Sequence, residues 1–88
     1  MYYIYFIYSK SADNVYIGCT VNLEKRLKEH QSGLVKSTKN RRPFVILHKE
    51  IYSDLSIARR RENYLKSLYG SRERKRIVRE CLEKLKIS

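Results

Sequence analysis

The sequence predicts one small α/β domain whose elements follow the order strand, strand, helix, strand, helix, helix. Three observations support this fold class. Two runs of β-branched and aromatic residues near the N-terminus flank a turn-forming segment, which is typical of an antiparallel hairpin. Amphipathic patterns with capping residues follow, interrupted by one more strand-like run. A chain of 88 residues has room for a single core, so residues 1–88 are taken as one domain.

The N-terminal hairpin consists of Tyr2–Tyr8, a turn at residues 9–14 and a second short strand, Val15–Cys19. Aromatic and β-branched residues favour the half-buried surface of a sheet, and SKSADN has the composition of a turn. In the second strand Tyr16 and Gly18 share a face, and Gly18 allows another backbone or a ligand to approach closely. Alternation along the first strand gives it two faces, one with Tyr3, Tyr5 and Ile7 and the other with Tyr2, Ile4, Phe6 and Tyr8.

The first helix is predicted from Leu23 to about Gln31, because Asn22 is a good N-cap and Gly33 follows the end of the pattern. A polar and strongly basic connection, GLVKSTKNRRP, covers residues 33–43. The run FVILHKEIY, residues 44–52, then reads as the third strand.

Two further helices complete the chain. Asp54 can cap a helix from Leu55 to about Tyr69, which Gly70 would end, and Ser71 can cap a third helix at about residues 71–86. The third helix has one apolar stripe, formed by Ile77, Val78, Cys81, Leu82 and Leu85.

The charge balance indicates a polyanionic partner. Twenty Lys and Arg residues against nine Asp and Glu residues give a net charge of +11. Such a charge attracts phosphate backbones and works against self-association, so we expect nucleic acid as the partner and favour a monomer. A solvated basic surface that serves solubility is the alternative.

The sequence argues against a membrane protein and against a zinc protein. No apolar stretch reaches the length of a membrane span, and the tyrosines, Lys10 and Asp13 make the N-terminal run a poor signal peptide. Cys19 and Cys81 stand far apart, with no CxxC pattern beside the two histidines. We therefore expect reduced, buried thiols and a cytoplasmic protein.

Three ionisable residues fall inside apolar helical stripes. Arg26 and His30 stand on the same side of the first helix as its leucines, and Glu62 stands between the inward positions of the second helix. Because an unpaired buried charge costs several kcal/mol, each needs a partner. An Arg26–Glu62 ion pair between two helices, with His30 as a hydrogen-bonded core residue, is the structural alternative.

Together with two inward-facing strand tyrosines, these residues also suit phosphodiester cleavage. A carboxylate can hold a divalent ion, a guanidinium can neutralise phosphate charge, and a phenol or imidazole can take the proton of water.

The motifs resemble those of the GIY-YIG nuclease superfamily, especially its small standalone bacterial members. Tyr3-Ile4-Tyr5 is similar to the first motif and Tyr16-Ile17-Gly18 to the second. The segment CTVNLEKRLKEHQSG resembles the helix that carries the family's Arg and His, and ARRRENYLKSL the segment that carries its metal-binding Glu. The resemblance covers about residues 2–69 and leaves the last helix outside it.

This resemblance implies a three-stranded antiparallel sheet flanked by helices and metal-dependent hydrolysis of DNA. The implied catalytic residues are Tyr5, Tyr16, Arg26, His30 and Glu62. Glu62 would hold Mg²⁺ or Mn²⁺, with water filling most of the coordination shell. Arg26 would stabilise charge on the phosphate. Either tyrosine could take the proton of the attacking water, and His30 could share that role.

One position departs from the family pattern. Tyr3 stands where the first motif has Gly, and it faces the same way as Tyr5. The family glycine provides space for the backbone and no reacting group, so the set of chemical groups is retained. Tyr3 narrows access to the site, offers a stacking surface for a base, or simply packs in the sheet.

The basic connection is the expected place for a phosphate backbone, through Lys36, Lys39, Arg41 and Arg42. Residues 59–61 offer three more arginines, although consecutive helical positions point in different directions. If the domain binds mainly through phosphates, we expect it to select nucleic acids by their structure rather than by their sequence. The main hypothesis is a metal-dependent DNA endonuclease. A nucleic-acid-binding module with weak or no cleavage is the alternative, and a structural adaptor is the third.

Overall fold

The computed structural model describes residues 1–87, which form a three-stranded antiparallel sheet with three helices. The strands are β1, Tyr2–Ser9, β2, Asn14–Thr20, and β3, Phe44–Tyr52. The helices are α1, Leu23–Ser32, α2, Leu55–Lys66, and α3, Ser71–Ile87. The strand order in the sheet is β2-β1-β3. The predicted fold class and order of elements are confirmed. Within residues 1–87 no helix is long and apolar enough to cross a membrane.

The central strand β1 divides the interior into two cores, one on each face of the sheet. Ile4 and Phe6 pack with residues of α2 and α3, on what we call the α2/α3 face. Tyr5 and Ile7 pack with Phe44 and with the leucines of α1, on what we call the α1 face. The alternation predicted for β1 is therefore correct, and it decides which side chains can meet.

Local sequence chemistry fixes where two of the helices begin. The side chain of Asn22 accepts a hydrogen bond from the backbone N–H of Lys25, and that of Asp54 accepts from Ser56 and Ile57. These bonds satisfy backbone donors that the first helical turn leaves free. Gly33 ends α1 at a φ of 85°, in the left-handed region that favours glycine.

The second helix ends earlier than the sequence predicts. It stops at Lys66, and the backbone N–H of Ser67 closes the end on the carbonyl of Tyr64. The chain then turns back so tightly that a Cβ atom on Gly70 would lie 2.0 Å from the Tyr64 carbonyl oxygen. Leu68 and Tyr69 are left 89% and 90% exposed, so no burial favours extending the helix through them.

Candidate active site

A chain of hydrogen bonds on the α1 face links Tyr5 to two residues of α1. The Tyr5 side chain is 4% exposed, and its hydroxyl oxygen lies 3.2 Å from Nε2 of His30. The Nε of Arg26 donates to the same hydroxyl at 3.4 Å. One turn of helix separates Arg26 from His30, so both side chains reach the same point of β1. The structure thus brings together three of the five predicted catalytic residues.

The network around His30 assigns its tautomer. Its Nδ1 lies 2.9 Å from Oγ1 of Thr38, whose hydroxyl donates to the carbonyl of Val35. The Thr38–Val35 bond favours Nδ1 as the donor to Thr38, and we infer that Nε2 accepts the proton of Tyr5. Burial, and then the charge of Arg26, lowers the pKa of His30 below its usual range. The imidazole is consequently neutral near pH 7 and can accept a proton only at Nε2.

Gly18 of β2 makes room for the Tyr5 ring. The two residues are paired across the strands, and a Cβ atom on Gly18 would lie 2.3 Å from the Tyr5 hydroxyl oxygen. The sequence predicted a close approach by a backbone or a ligand, but the approaching group is this phenol. Gly18 therefore fixes the position of the phenol between β2 and α1.

Tyr16 lies on the same face but belongs to a separate hydrogen bond. Its half-buried ring packs edge to face against Phe44 with 5.8 Å between ring centroids. Nη1 of Arg41 donates to the Tyr16 hydroxyl at 2.5 Å. Arg41 comes from the basic connection, so Tyr16 links that connection to the sheet.

The basic connection, residues 33–43, is mostly exposed, although Gly33 and Val35 are half-buried and Thr38 is fully buried. It contains a short 3-10 turn at Lys39–Arg41. Arg42 donates to the carbonyls of Lys39 and Gln31, so part of its donor capacity holds the loop in place. The side chains of Lys36 and Lys39 are exposed to solvent.

Glu62 occupies a different position from the other predicted catalytic residues. It is 7% exposed on α2, whose buried residues Ala58 and Leu65 pack on the α2/α3 face. Its carboxylate accepts from Arg59 at 3.5 Å and from Lys66 at 3.0 Å. Its charge acts on Cys19 of β2, where burial, and then Glu62, raises the pKa of the thiol.

Two consequences follow from the position of Glu62. The Arg26–Glu62 ion pair considered from the sequence is not formed, because Arg26 pairs with Glu29 at 3.1 Å. Glu62 lies beside Cys19, while Tyr5 lies over the neighbouring Gly18 on the opposite face. Neighbouring residues of the edge strand β2, Cys19 and Gly18, therefore face the two separate parts of the predicted site.

Comparison with known proteins decides the family. The sequence model of the GIY-YIG catalytic domain matches residues 1–76. This chain belongs to the GIY-YIG family. A UPF0213 protein of Syntrophus aciditrophicus is 38% identical over 85 residues, which cover 94% of this chain and 95% of that protein. A UPF0213 protein of Staphylococcus haemolyticus is 39% identical over 75 residues, which cover 84% of this chain and 88% of that protein.

A solved structure shares the fold. The solution NMR structure of a UPF0213 protein from Bacillus halodurans superimposes with a TM-score of 0.56 at 30% identity. The match covers 89% of this chain and 83% of that one. The family assignment agrees with the motif resemblance carried by Tyr3-Ile4-Tyr5 and Tyr16-Ile17-Gly18.

In the part of the chain that the structure describes, the expected divalent-ion site would rest on one carboxylate, that of Glu62. Within residues 1–87 no group of three or more His, Cys, Asp or Glu side chains could hold a metal ion. Mg²⁺ commonly binds one or two carboxylates and completes its shell with water and substrate phosphates. The charge of Glu62 suits that mode, but its side chain is 9% exposed and accepts bonds from Arg59 and Lys66, so an ion bound there would have to displace these two side chains.

Sequence reasoning missed two residues that organise this site. Thr38 is fully buried and orients His30, although its segment reads as a polar loop. Arg41 was assigned to phosphate contact alone, yet it also bonds Tyr16. Both contacts depend on how the loop folds back over α1 and β2, and no local pattern signals them.

Arg61 differs from the expectation that residues 59–61 could all contact phosphate. It forms paired hydrogen bonds with Glu50 and with Glu73, at 2.8 to 3.1 Å. Burial raises the pKa of Glu50, but bonds from Arg61, His48 and Tyr52 outweigh this and lower it to about 2. Arg61 therefore joins β3, α2 and α3 and is occupied within the fold.

Proposed function

We propose that this GIY-YIG domain hydrolyses phosphodiester bonds of DNA as a divalent-metal-dependent endonuclease that selects structure rather than sequence. The observation that carries the proposal is the hydrogen-bonded set Arg26, Tyr5 and His30, next to Tyr16 and an exposed basic loop. Family membership adds support. The net charge of +11 and the free thiols of Cys19 and Cys81 are consistent with a cytoplasmic monomer that acts on nucleic acid.

Arg26 is the residue that holds the scissile phosphate in this scheme. Its side chain is 39% exposed, so the guanidinium reaches solvent. Its bond to Tyr5, and then its bond to Glu29, raises the pKa of Arg26 further. Since a guanidinium has five N–H donors, it can keep these two bonds and still donate to phosphate oxygens. Charge that develops on the phosphate is then stabilised by a cation already in position.

Exposure separates the roles of the two motif tyrosines. The Tyr5 hydroxyl is buried, donates to His30 and accepts from Arg26, so we assign it to positioning Arg26. The Tyr16 ring is half-buried, and among residues 1–87 its hydroxyl bonds to the exposed Arg41. Tyr16 is therefore the phenol that an attacking water can reach.

In the hydrolytic step the water oxygen bonds to phosphorus and the Tyr16 phenolate takes the water proton. The phosphorus–oxygen bond to the leaving sugar breaks, and the sugar oxygen takes a proton from solvent. Ionising a phenol of ordinary acidity costs about 4 kcal/mol at neutral pH. Glu62 would hold a divalent ion, Mg²⁺ or Mn²⁺, and this ion would supply charge neutralisation at the phosphate.

One observation favours the alternative of a nucleic-acid-binding module with weak or no cleavage. The carboxylate of Glu62 accepts bonds from Arg59 and Lys66 and lies on the opposite face from Tyr5. Binding through the basic loop needs no carboxylate, whereas the metal-dependent reaction does. Substitution of Glu62 should therefore abolish cleavage if the domain is a nuclease, and should leave DNA binding unchanged if the domain is a binding module.

The test is a cleavage assay on single-stranded, duplex and branched DNA with Mg²⁺ or Mn²⁺. We expect wild-type cleavage and its loss in Arg26→Ala, Tyr16→Phe and Glu62→Ala. Lys28→Ala on the outer side of α1 and Glu83→Ala on α3 are matched controls, since both side chains are exposed. Circular dichroism must show that each variant is folded. Binding without cleavage by the wild type would establish the binding module instead.

A further inference from the structure

An open cleft lies on the α1 face between the sheet and the start of α1. Its volume is about 460 Å³, within the range of about 300–1,000 Å³ typical of small-ligand sites. Tyr3 and Ile46 contribute apolar surface from the sheet, and Leu23 and Leu27 contribute it from the helix. The cleft therefore offers two apolar walls, one of them with an aromatic ring, to a flat ligand.

The cleft adjoins the proposed catalytic residues. Tyr3 precedes Tyr5 by two residues on the same face of β1, which places their backbones about 7 Å apart. Lys49, on the sheet wall, is paired with Tyr5 across β1 and β3. Leu27, on the helix wall, follows Arg26 directly. A ligand in the cleft thus lies beside the groups that would hold the scissile phosphate.

The charged residues of the cleft set the orientation of an anionic ligand. Lys49 is exposed on the sheet wall, whereas Glu24 is exposed on the helix wall. A phosphate is attracted to Lys49 and repelled by Glu24, so it would lie on the sheet side. The net charge of +11 disfavours a second copy of this chain as the occupant and favours a polyanion.

We propose that this cleft binds one nucleobase of a single-stranded or frayed nucleic-acid segment, with Tyr3 as the stacking residue and Lys49 on the adjoining phosphate. The inference rests on the proposed function, because the strand bound in the cleft is the strand that the nuclease would cleave. Every base has a π face, so an aromatic wall retains a base without reading its identity. Tyr3, which stands at the glycine position of the first motif, thereby acquires a role in substrate selection, because a base must leave its duplex stack to enter.

The test measures binding without metal, in EDTA and at low salt, so that it does not depend on cleavage. Fluorescence anisotropy compares a short labelled thymidine oligonucleotide with an abasic strand of equal length. We expect the wild type to bind the thymidine strand about tenfold more tightly, which is the scale of one stacked base. Tyr3→Leu should abolish this preference and Tyr3→Phe should keep it. Lys49→Ala should weaken binding of both strands.

Tyr69→Leu is the matched control, because Tyr69 is 90% exposed in the turn between α2 and α3, outside the cleft. We expect it to keep the preference for the thymidine strand. Amide chemical shifts of the wild type, titrated with thymidine monophosphate, should change around Tyr3, Leu27 and Lys49, and less with deoxyribose 5-phosphate. Equal affinity for the two strands, shifts confined to another surface, or loss of preference in Tyr69→Leu alone would overturn the inference.

The results also separate this inference from the proposed function. A preference that depends on Tyr3, in a protein that cleaves no DNA with any metal, supports the cleft and refutes the nuclease. Cleavage by a protein whose Tyr3→Leu variant keeps its preference for thymidine refutes the cleft alone.

Discussion

Replacing Gly18 by alanine tests the central packing of the proposed site. The added methyl group would lie 2.3 Å from the hydroxyl oxygen of Tyr5 and 2.5 Å from its Cζ. The Tyr5 ring is buried and bonded to both His30 and Arg26, so it cannot move aside without breaking those bonds. We therefore expect Gly18→Ala to destabilise the domain and to displace Arg26.

The magnitude follows from three contributions. Overpacking a core costs about 1–3 kcal/mol, and each lost hydrogen bond costs about 0.5–1.5 kcal/mol. Alanine in a strand regains about 0.5–1 kcal/mol of backbone entropy relative to glycine. With two bonds lost, the net effect is roughly 3 kcal/mol, which for a domain of this size lowers the Tm by roughly 12–24 °C.

The assay is a double-mutant cycle of Gly18→Ala and Tyr5→Leu. The unfolding free energy of each variant is measured by urea unfolding, with circular dichroism as the signal. Leucine removes the ring, so Gly18→Ala should cost almost nothing in the Tyr5→Leu background, and the coupling free energy should equal roughly the cost of the clash. An equal cost in both backgrounds would refute the reasoning, because Gly18 would then act through its own backbone and not through Tyr5.

Three further predictions concern stability. Because the folded pKa of His30 is lowered, unfolding free energy should fall as pH drops from about 7.5 to about 5.5; a similar fall in His30→Gln, measured by thermal unfolding, would contradict this. The pKa of Glu50, 4.5 in the unfolded chain and about 2 in the fold, provides about 3 kcal/mol of stability above 4.5 that is lost towards pH 2. If urea unfolding shows that Glu50→Gln loses as much stability as the wild type between pH 4.5 and pH 2, the prediction is refuted. Gly70→Ala should destabilise by about 2–4 kcal/mol, because the added methyl group meets the Tyr64 backbone; a Tm equal to wild type would show that the turn can open.

Features set by neighbouring residues were predictable from the sequence. The caps at Asn22 and Asp54, the two faces of β1, and the placement of Arg26 and His30 on the inner side of α1 follow from local periodicity and side-chain chemistry. These signals depend only on residues within a few positions of one another.

Features set by distant contacts were not predictable. The end of α2 depends on how the turn at Gly70 packs against Tyr64. The burial of Thr38 depends on the loop folding over His30. The face on which Glu62 lies depends on the crossing of α2 over the sheet, and helical periodicity says only that the residue points inward.

The Arg61 network has a consequence for how motion is distributed across the domain. Its paired bonds to Glu50 and Glu73 join β3, α2 and α3 on one side of the sheet. On the other side, the exposed loop that carries Arg41 is attached mainly by single side-chain bonds. Segments held in this way open at lower free energy than a cross-linked core. Amide hydrogen exchange should therefore be fastest in residues 34–43 and slowest in β1 and α2, so the α1 face can adapt to a strand while the opposite face keeps its shape.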